Sequence, residues 1–182
     1  LVLADVELDA LHALWLELDA LGLARPTRGL VTNIIACPGG DFCALANAVS
    51  IPVAEAIAER FEDLDYQHDV GELDLNISGC INACGHHHVG HIGILGVDKN
   101  GEEWYQVSLG GSQGNHTSIG KVIGRSFAAA EMPGVIAKII DVYLAQRQAG
   151  ERFIETVRRT GLDPFKLGVY GDAAVKERKQ NA

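Results

Sequence analysis

Four cysteines in two pairs are the feature that most constrains what this chain can fold into. Cys37 and Cys43 enclose Pro-Gly-Gly-Asp-Phe, Cys80 and Cys84 enclose Ile-Asn-Ala, and the sequence has no other cysteine. Both pairs lie in glycine-containing loops. Four thiolates that converge from two such loops can hold a metal ion or an iron–sulfur cluster, and four cysteines can also form two disulfides. The function of the chain depends on whether the cysteines hold a metal ion, hold a cluster or form disulfides.

The spacing within the pairs favours a cluster. Zinc sites usually space their cysteines as C-x₂-C, whereas this chain has C-x₅-C and C-x₃-C. Wider pairs suit a cube of iron and sulfide, whose corners lie farther apart than the ligands of one zinc ion. The glycines let the backbone turn closely around such a cluster, so that peptide N–H groups can point at its sulfurs.

Composition limits the cellular compartment and the classes of partner that we expect for this chain. The 182 residues suffice for one well-cored domain, and the net charge of −9 argues against a nucleic-acid partner. No stretch is long and apolar enough to span a membrane, and no signal peptide is visible. We therefore expect a cytoplasmic protein, in which clustered cysteines are more often metal ligands than disulfides. The chain starts at Leu1 in mid-pattern, so we expect a piece of a longer protein.

Hydrophobic periodicity predicts strands that lead into both cysteine pairs. Residues 31–36 predict a strand that ends at Cys37, and the alternation in residues 73–78 predicts a half-buried strand before Cys80. Strands at residues 91–97 and 104–109 flank an Asn-Gly hairpin turn. Residues 1–4 predict the end of another strand.

Helix patterns fill much of the remainder. Helices are predicted from about Asp5 to Gly22, over residues 53–61, from Pro133 to about Gln148 and over residues 152–159, with a short turn at 164–167. An alanine-rich helix is expected to start at Cys43, and residues 62–72 are expected to form a polar link.

The ordered motifs resemble those of the sirohaem- and [4Fe–4S]-containing nitrite and sulfite reductases. The resemblance covers about residues 1–170. The segments that match the family motifs are Ala-Cys-Pro-Gly-Gly-Asp-Phe-Cys-Ala-Leu-Ala at 36–46 and Ser-Gly-Cys-Ile-Asn-Ala-Cys-Gly-His at 78–86. Gly-Ile-Leu-Gly at 93–96 and Leu-Gly-Gly at 109–111 also match the family pattern.

This resemblance implies roles for individual residues. The cluster ligands would be Cys37, Cys43, Cys80 and Cys84, and Cys84 would also bridge to the sirohaem iron. Asn82 matches an asparagine inside the family's second pair and would help to place the sirohaem periphery. The alternative for Asn82 is a plain turn residue.

Two further segments have competing interpretations. Histidines follow the second pair at positions 86, 87, 88 and 91, and polar loop residues near the cofactor are favoured over a separate metal site. The glycine- and serine-rich residues 110–120 lack the spacing of a phosphate loop. By resemblance they would face the cofactor, and Lys121 or Arg125 would meet sirohaem carboxylates or the substrate anion. A flexible surface loop is the alternative.

The resemblance and the patterns together predict an α+β fold, with a mixed sheet of about five strands covered by helices. Residues 1–24 would be the remnant of a ferredoxin-like half-domain, 25–170 the sirohaem and [4Fe–4S] domain, and 171–182 a polar tail. The implied activity is the six-electron reduction of sulfite to sulfide, with nitrite reduction to ammonia as the near alternative. The electron donor would be a ferredoxin or a flavoprotein.

Two other expectations qualify this activity. Between Cys37 and Arg125 the only Lys or Arg residues besides Arg125 itself are Arg60, Lys99 and Lys121, too few to cradle an anion on the haem. We therefore expect this chain alone to be catalytically incomplete, because the resemblance implies that the main basic residues lie in an earlier half. A non-catalytic Cys₄ metal or electron-transfer module is the alternative of a different class.

Overall fold

Residues 3–171 are described by the computed structural model, and they form an α+β fold. The helices are α1 Leu11–Ala20, α2 Ile51–Arg60, α3 Leu64–Val70, α4 Met132–Gln146, α5 Phe153–Thr160 and α6 Asp163–Tyr170. The strands are β1 Ile35–Ala36, β2 Leu75–Ser78, β3 Ile92–Lys99, β4 Glu102–Leu109 and β5 Lys121–Val122. Short 3₁₀ turns lie at His87–Val89, Gly114–His116 and Ala129–Glu131.

The five strands make one mixed sheet in the order β1-β2-β3-β4-β5. The first three strands are parallel, and β4 and β5 are antiparallel to their neighbours. Because β1 and β2 are adjacent and parallel, the loops that follow them leave the same edge of the sheet. Those loops contain the two cysteine pairs.

The two faces of the sheet differ in chemistry. One face is apolar and joins the helices in the hydrophobic core, to which it contributes Leu75, Ile77, Ile92, Ile94, Val107 and Leu109. Across the other face, Asn76, Gly93 and Ser108 lie side by side in register. All three are buried, so something other than the helices covers them.

Helix α4 is the centre of the apolar layer. Pro133 lies in its first turn, where amide groups have no partner within the helix, so the N–H that proline lacks costs no hydrogen bond. Its buried face includes Ile136, Ile139, Ile140 and Tyr143, as the periodicity predicts. Tyr143 also donates to the Val70 carbonyl at 3.1 Å, and this bond ties α4 to the end of α3.

Several predicted elements are present with small shifts in their boundaries. Helix α2 buries Val53 and Ile57, and the strands β3 and β4 form the predicted hairpin. Asn100 and Gly101 have φ angles of 58° and 84°, the left-handed pair that an Asn-Gly turn requires. The short turn predicted at 164–167 is the longer helix α6.

Other predictions of local structure are wrong. The chain after Cys43 is not helical until Ile51, and residues 62–72 contain α3, for which Asp63 caps the first turn by accepting from the Tyr66 amide. Leu3 and Ala4 are not in a strand, and the strand before Cys37 is only β1. Strand β2 is buried on both faces and not on one.

The predicted domain boundaries stay predictions. No residue of α1 is buried, and its exposed side chains include Leu11, Trp15 and Leu16. The start of the chain at residues 1–2 and the predicted polar tail from residue 172 onward lie outside the described residues. Among residues 3–171, no helix has the length and apolar character needed to cross a bilayer.

Candidate functional site

The two cysteine loops are joined by backbone hydrogen bonds. The Gly79 amide donates to the Cys37 sulfur at 3.1 Å, while the Gly79 carbonyl accepts from Asn47 at 2.8 Å and from Ala48 at 3.1 Å. The Cys37 amide donates to the Ile77 carbonyl at 3.1 Å, which extends the pairing of β1 with β2. The first cysteine pair is therefore connected directly to the residue before the second pair.

Close approach of the two loops depends on glycine. A Cβ built at Gly79 would lie 2.5 Å from the Ala48 carbonyl oxygen and 3.0 Å from the Gly39 Cα, and both contacts are to backbone. Gly39 itself has a φ of 67°. The glycines that the sequence places beside the cysteines thus make room for the other loop as well as for a cofactor.

The second pair folds back over the polar face of the sheet. The Gly85 amide donates to the Ser78 hydroxyl at 3.1 Å, and the Asn76 side chain donates to the His86 carbonyl at 3.1 Å. Ala83 and His86 adopt left-handed conformations, with φ angles of 56° and 53°. This return explains why β2 is buried on both faces, and Cys84, which lies within it, is exposed.

All four cysteines are free thiols, so neither pair forms a disulfide in this structure. Cys80 is buried, Cys37 and Cys43 are half-buried, and Cys84 is exposed. Within residues 3–171, no three His, Cys, Asp or Glu side chains are grouped closely enough to hold a single metal ion.

The surroundings of Cys37 favour a thiolate. Burial raises the pKa of its thiol, but hydrogen bonds from Ser50 and from the Gly79 amide outweigh burial and leave the pKa below its ordinary value. Because a cluster ligand must be deprotonated, this environment fits a group held through sulfur. The donor set, the interlocked loops and the glycines all fit a [4Fe–4S] cluster.

Exposed apolar side chains lie next to the cysteines in the sequence. Phe42 is 78% exposed, Leu45 72% and Ile81 79%. Asn82 is exposed on the same loop as Ile81 and lies between the cysteines of the second pair. An apolar rim beside an exposed thiol suits a large flat cofactor such as sirohaem, which would be covered on one side by this rim.

The predicted basic contacts lie elsewhere on the sheet. Lys121 is exposed on the edge strand β5 and pairs with Leu109, which belongs to the apolar face. The Arg125 guanidinium lies 5.9 Å from the centre of the Tyr170 ring. Among the described residues, no hydrogen bond, ion pair or ring contact joins either side chain to the cysteine loops, and the roles of both residues toward the cofactor stay predictions.

The glycine-rich loop at residues 110–120 is held in place at both ends. Ser112 and Ser118 exchange backbone hydrogen bonds of 2.9 and 3.0 Å, and the Gly120 amide donates to the His88 carbonyl at 2.8 Å. The loop therefore packs on the histidine turn that follows Cys84, close to the second cysteine pair.

The clustered histidines point to different partners. His91 Nδ1 accepts from the Asp74 amide at 3.1 Å, and its ring stacks on Phe153. His87 is 3% exposed, its ring centre lies 3.9 Å from that of His88, and its Nδ1 has no hydrogen-bond partner among the described residues. Sequence inspection did not distinguish these two buried histidines from the exposed His86 and His88.

His87 should make stability depend on pH. Burial, and then the neighbouring His88, lower the pKa of His87 from 6.5 to about 4. The unfolded chain binds a proton at this residue that the native chain excludes, so stability falls as the pH falls from about 6.5 to about 4. His87→Gln should reduce the loss of unfolding free energy between pH 7.5 and 5.0, measured by urea denaturation. His68→Gln, an exposed control, should keep the native loss, and an unchanged loss in His87→Gln would contradict the assignment.

The chain is similar to known proteins over most of its length. Residues 29–177 match the family model described as the nitrite and sulphite reductase 4Fe-4S domain. The chain is 27% identical to the assimilatory-type sulfite reductase of Nitratidesulfovibrio vulgaris, over 94% of this chain and 75% of that protein. It is 32% identical to sulfite reductase [ferredoxin] 2 of Mycolicibacterium paratuberculosis, over 91% of this chain and 32% of that protein.

A nitrite reductase and a solved structure are also similar. The assimilatory ferredoxin-dependent nitrite reductase of Haloferax mediterranei is 31% identical, over 71% of this chain and 23% of its own length. The structure of the Mycobacterium tuberculosis NirA protein matches with a TM-score of 0.72 and 30% identity, over 88% of this chain and 31% of that chain. This chain thus spans about a third or less of the mycobacterial and haloarchaeal relatives. The family description and these relatives confirm the predicted family and fold.

Proposed function

Because this chain belongs to the family of the nitrite and sulphite reductase 4Fe-4S domain, we propose that it is the cofactor-binding part of a sirohaem- and [4Fe–4S]-dependent reductase. The proposed reaction is the six-electron reduction of sulfite to sulfide. The observation that carries the proposal is the junction of the two cysteine loops, in which the Gly79 amide reaches the Cys37 sulfur. Nitrite reduction to ammonia is the second candidate, since one relative is a nitrite reductase.

The four cysteines would hold the cluster, and Cys84 would also bridge to the sirohaem iron. Cys84 suits that second role because it is exposed while Cys80 is buried. When bound, the cluster and sirohaem would supply the electrons for the reduction. The exposed Asn82 would contact the sirohaem periphery, and Lys121 and Arg125 are proposed to meet its carboxylates or the anion.

The chain's own residues would hold these cofactors in position. The hydrogen bonds from Asn47 and Ala48 to Gly79 hold the loops together, and Ser78 and Asn76 hold the segment after Cys84 against the sheet. The apolar rim of Phe42, Leu45 and Ile81 would exclude water from one side of the site. A ferredoxin is the proposed donor, since the names of two relatives specify ferredoxin. The cytoplasm would keep the four thiols reduced.

Anaerobic reconstitution tests the proposal. The chain is supplied with iron, sulfide and sirohaem, and absorption and electron paramagnetic resonance spectra are recorded for the native chain and for Cys84→Ser. The native chain should show sirohaem bands and a cluster that is magnetically coupled to the haem iron, and Cys84→Ser should lose the coupling. Zinc bound in place of a coloured cluster would support the non-catalytic Cys₄ module and overturn the proposal.

Turnover with reduced methyl viologen separates the two substrates. Sulfite should be reduced faster than nitrite if the first candidate is right, and the reverse order would favour the second. We propose that the chain alone turns over far more slowly than a full-length relative, since its site region has few cations. Turnover at the rate of the full-length enzyme would contradict this part of the proposal.

A further inference from the structure

Ser50 occupies the junction between the two cysteine loops. Its side chain is fully buried, and its hydroxyl lies 3.4 Å from the Cys37 sulfur. A Cβ built at Gly39 would lie 2.8 Å from this hydroxyl, and a Cβ built at Gly79 would lie 3.0 Å from it. One glycine of each loop therefore makes room for the hydroxyl of Ser50.

Ser50 precedes α2 but does not cap it. A serine at this position usually accepts from a backbone amide in the first helical turn, whereas Ser50 makes no such side-chain bond. Its hydroxyl is directed at Cys37 instead. The N-terminal end of the ten-residue helix α2 lies here as well, and its dipole favours negative charge on the sulfur.

The segment that carries Ser50 is held by the β3–β4 hairpin. The Tyr105 hydroxyl donates to the Val49 carbonyl at 2.9 Å, and the Val49 amide donates to the Glu103 carboxylate at 3.3 Å. Ala48 is fully buried against the sheet. The position of the Ser50 hydroxyl is thus set by the anchoring of Ala48 and Val49 and not by its own rotamer alone.

We propose that Ser50 donates a hydrogen bond to the Cys37 sulfur and thereby raises the reduction potential of the cluster. The inference rests on the proposed function, in which Cys37 is a cluster ligand. A ligated sulfur has no proton to give, so the hydroxyl must be the donor of the pair. A donor on a cluster sulfur stabilises the reduced, more negative state, and Ser50 adds to the bond from the Gly79 amide. Ser50 is therefore a positioning residue that acts through Cys37.

The test compares the reduction potential of variants that all hold the cluster. Ser50→Ala should lower the equilibrium constant of one-electron reduction about tenfold, which is about 59 mV, in a redox titration followed by electron paramagnetic resonance. Ser126→Ala is the matched control, because Ser126 is buried and its hydroxyl has no partner among the described residues. Its potential should equal that of the native chain.

A second pair of variants is used if Ser50→Ala does not take up the cluster. Ser50→Thr and Ser50→Val have almost the same shape and differ in the hydroxyl, so the threonine variant should have the higher potential. Equal potentials in loaded Ser50→Ala and native protein, or in the threonine and valine variants, would overturn the proposal. If the native chain takes up no iron and sulfide at all, the proposed function fails rather than the role of Ser50.

Discussion

Replacing Cys80 with serine is expected to abolish cluster assembly. The native chain should take up about four iron ions during anaerobic reconstitution, and Cys80→Ser close to none. Cys80 is buried directly after Gly79, the residue that joins the two loops. A serine hydroxyl is a poor substitute for a thiolate, and the remaining three cysteines would leave one iron of the cube without its ligand. Iron and acid-labile sulfide per chain are the measurements.

Ile81→Ser is the control for this variant. Ile81 is the next residue in the same loop and is 79% exposed; it belongs to the apolar rim that is proposed to cover sirohaem and is not a proposed cluster ligand. Its replacement introduces the same side chain, so it should leave iron uptake at the native level. Full uptake by Cys80→Ser, or equal loss in both variants, would contradict the assignment of Cys80 as a ligand.

Replacing Gly79 with alanine is expected to cost both stability and cluster assembly. The added methyl group would lie 2.5 Å from the Ala48 carbonyl oxygen and 3.0 Å from the Gly39 Cα, and neither backbone atom can rotate away. The loops must separate, at a cost of about 1–3 kcal/mol in the free energy of unfolding. Urea denaturation of the metal-free chain measures this loss, and iron uptake measures the second effect.

Gly134→Ala provides the matched comparison. Gly134 lies in α4, and a Cβ built there meets nothing within 4 Å. Alanine has the higher helix propensity, so this variant should be as stable as the native chain or up to about 1 kcal/mol more stable. The assignment of Gly79 would be wrong if its variant matched Gly134→Ala in both measurements.

Local patterns predicted the elements whose partners are near in sequence. The Asn100-Gly101 turn and the apolar stripe of α4 follow from chemistry that a few consecutive residues carry. Cysteine spacing and the adjacent glycines likewise indicated a cluster before any geometry was known. These features depend on short-range backbone preferences and on the size of the object to be held.

Longer-range contacts explain the predictions that were wrong. Alanines after Cys43 favour a helix, but the Asn47 and Ala48 amides donate to the Gly79 carbonyl and so cannot make helical bonds. The alternation in β2 predicts one solvent-exposed face, yet Asn76 and Ser78 are buried. They are buried because residues 80–86 fold back over them. Helix propensity and strand periodicity are weak terms, and tertiary hydrogen bonds override them.

The sequence by itself determined that four thiolates with flanking glycines are available for one large inorganic group, and the motif order indicated which family uses them. Only the tertiary structure decided how the two loops interlock, and that Cys84 lies exposed while Cys80 is buried. It also decided that the hydroxyl of Ser50 lies beside Cys37. Residue spacing cannot predict that contact, because the β3–β4 hairpin holds the segment that contains Ser50. The hydroxyl then fits beside Gly39 and Gly79.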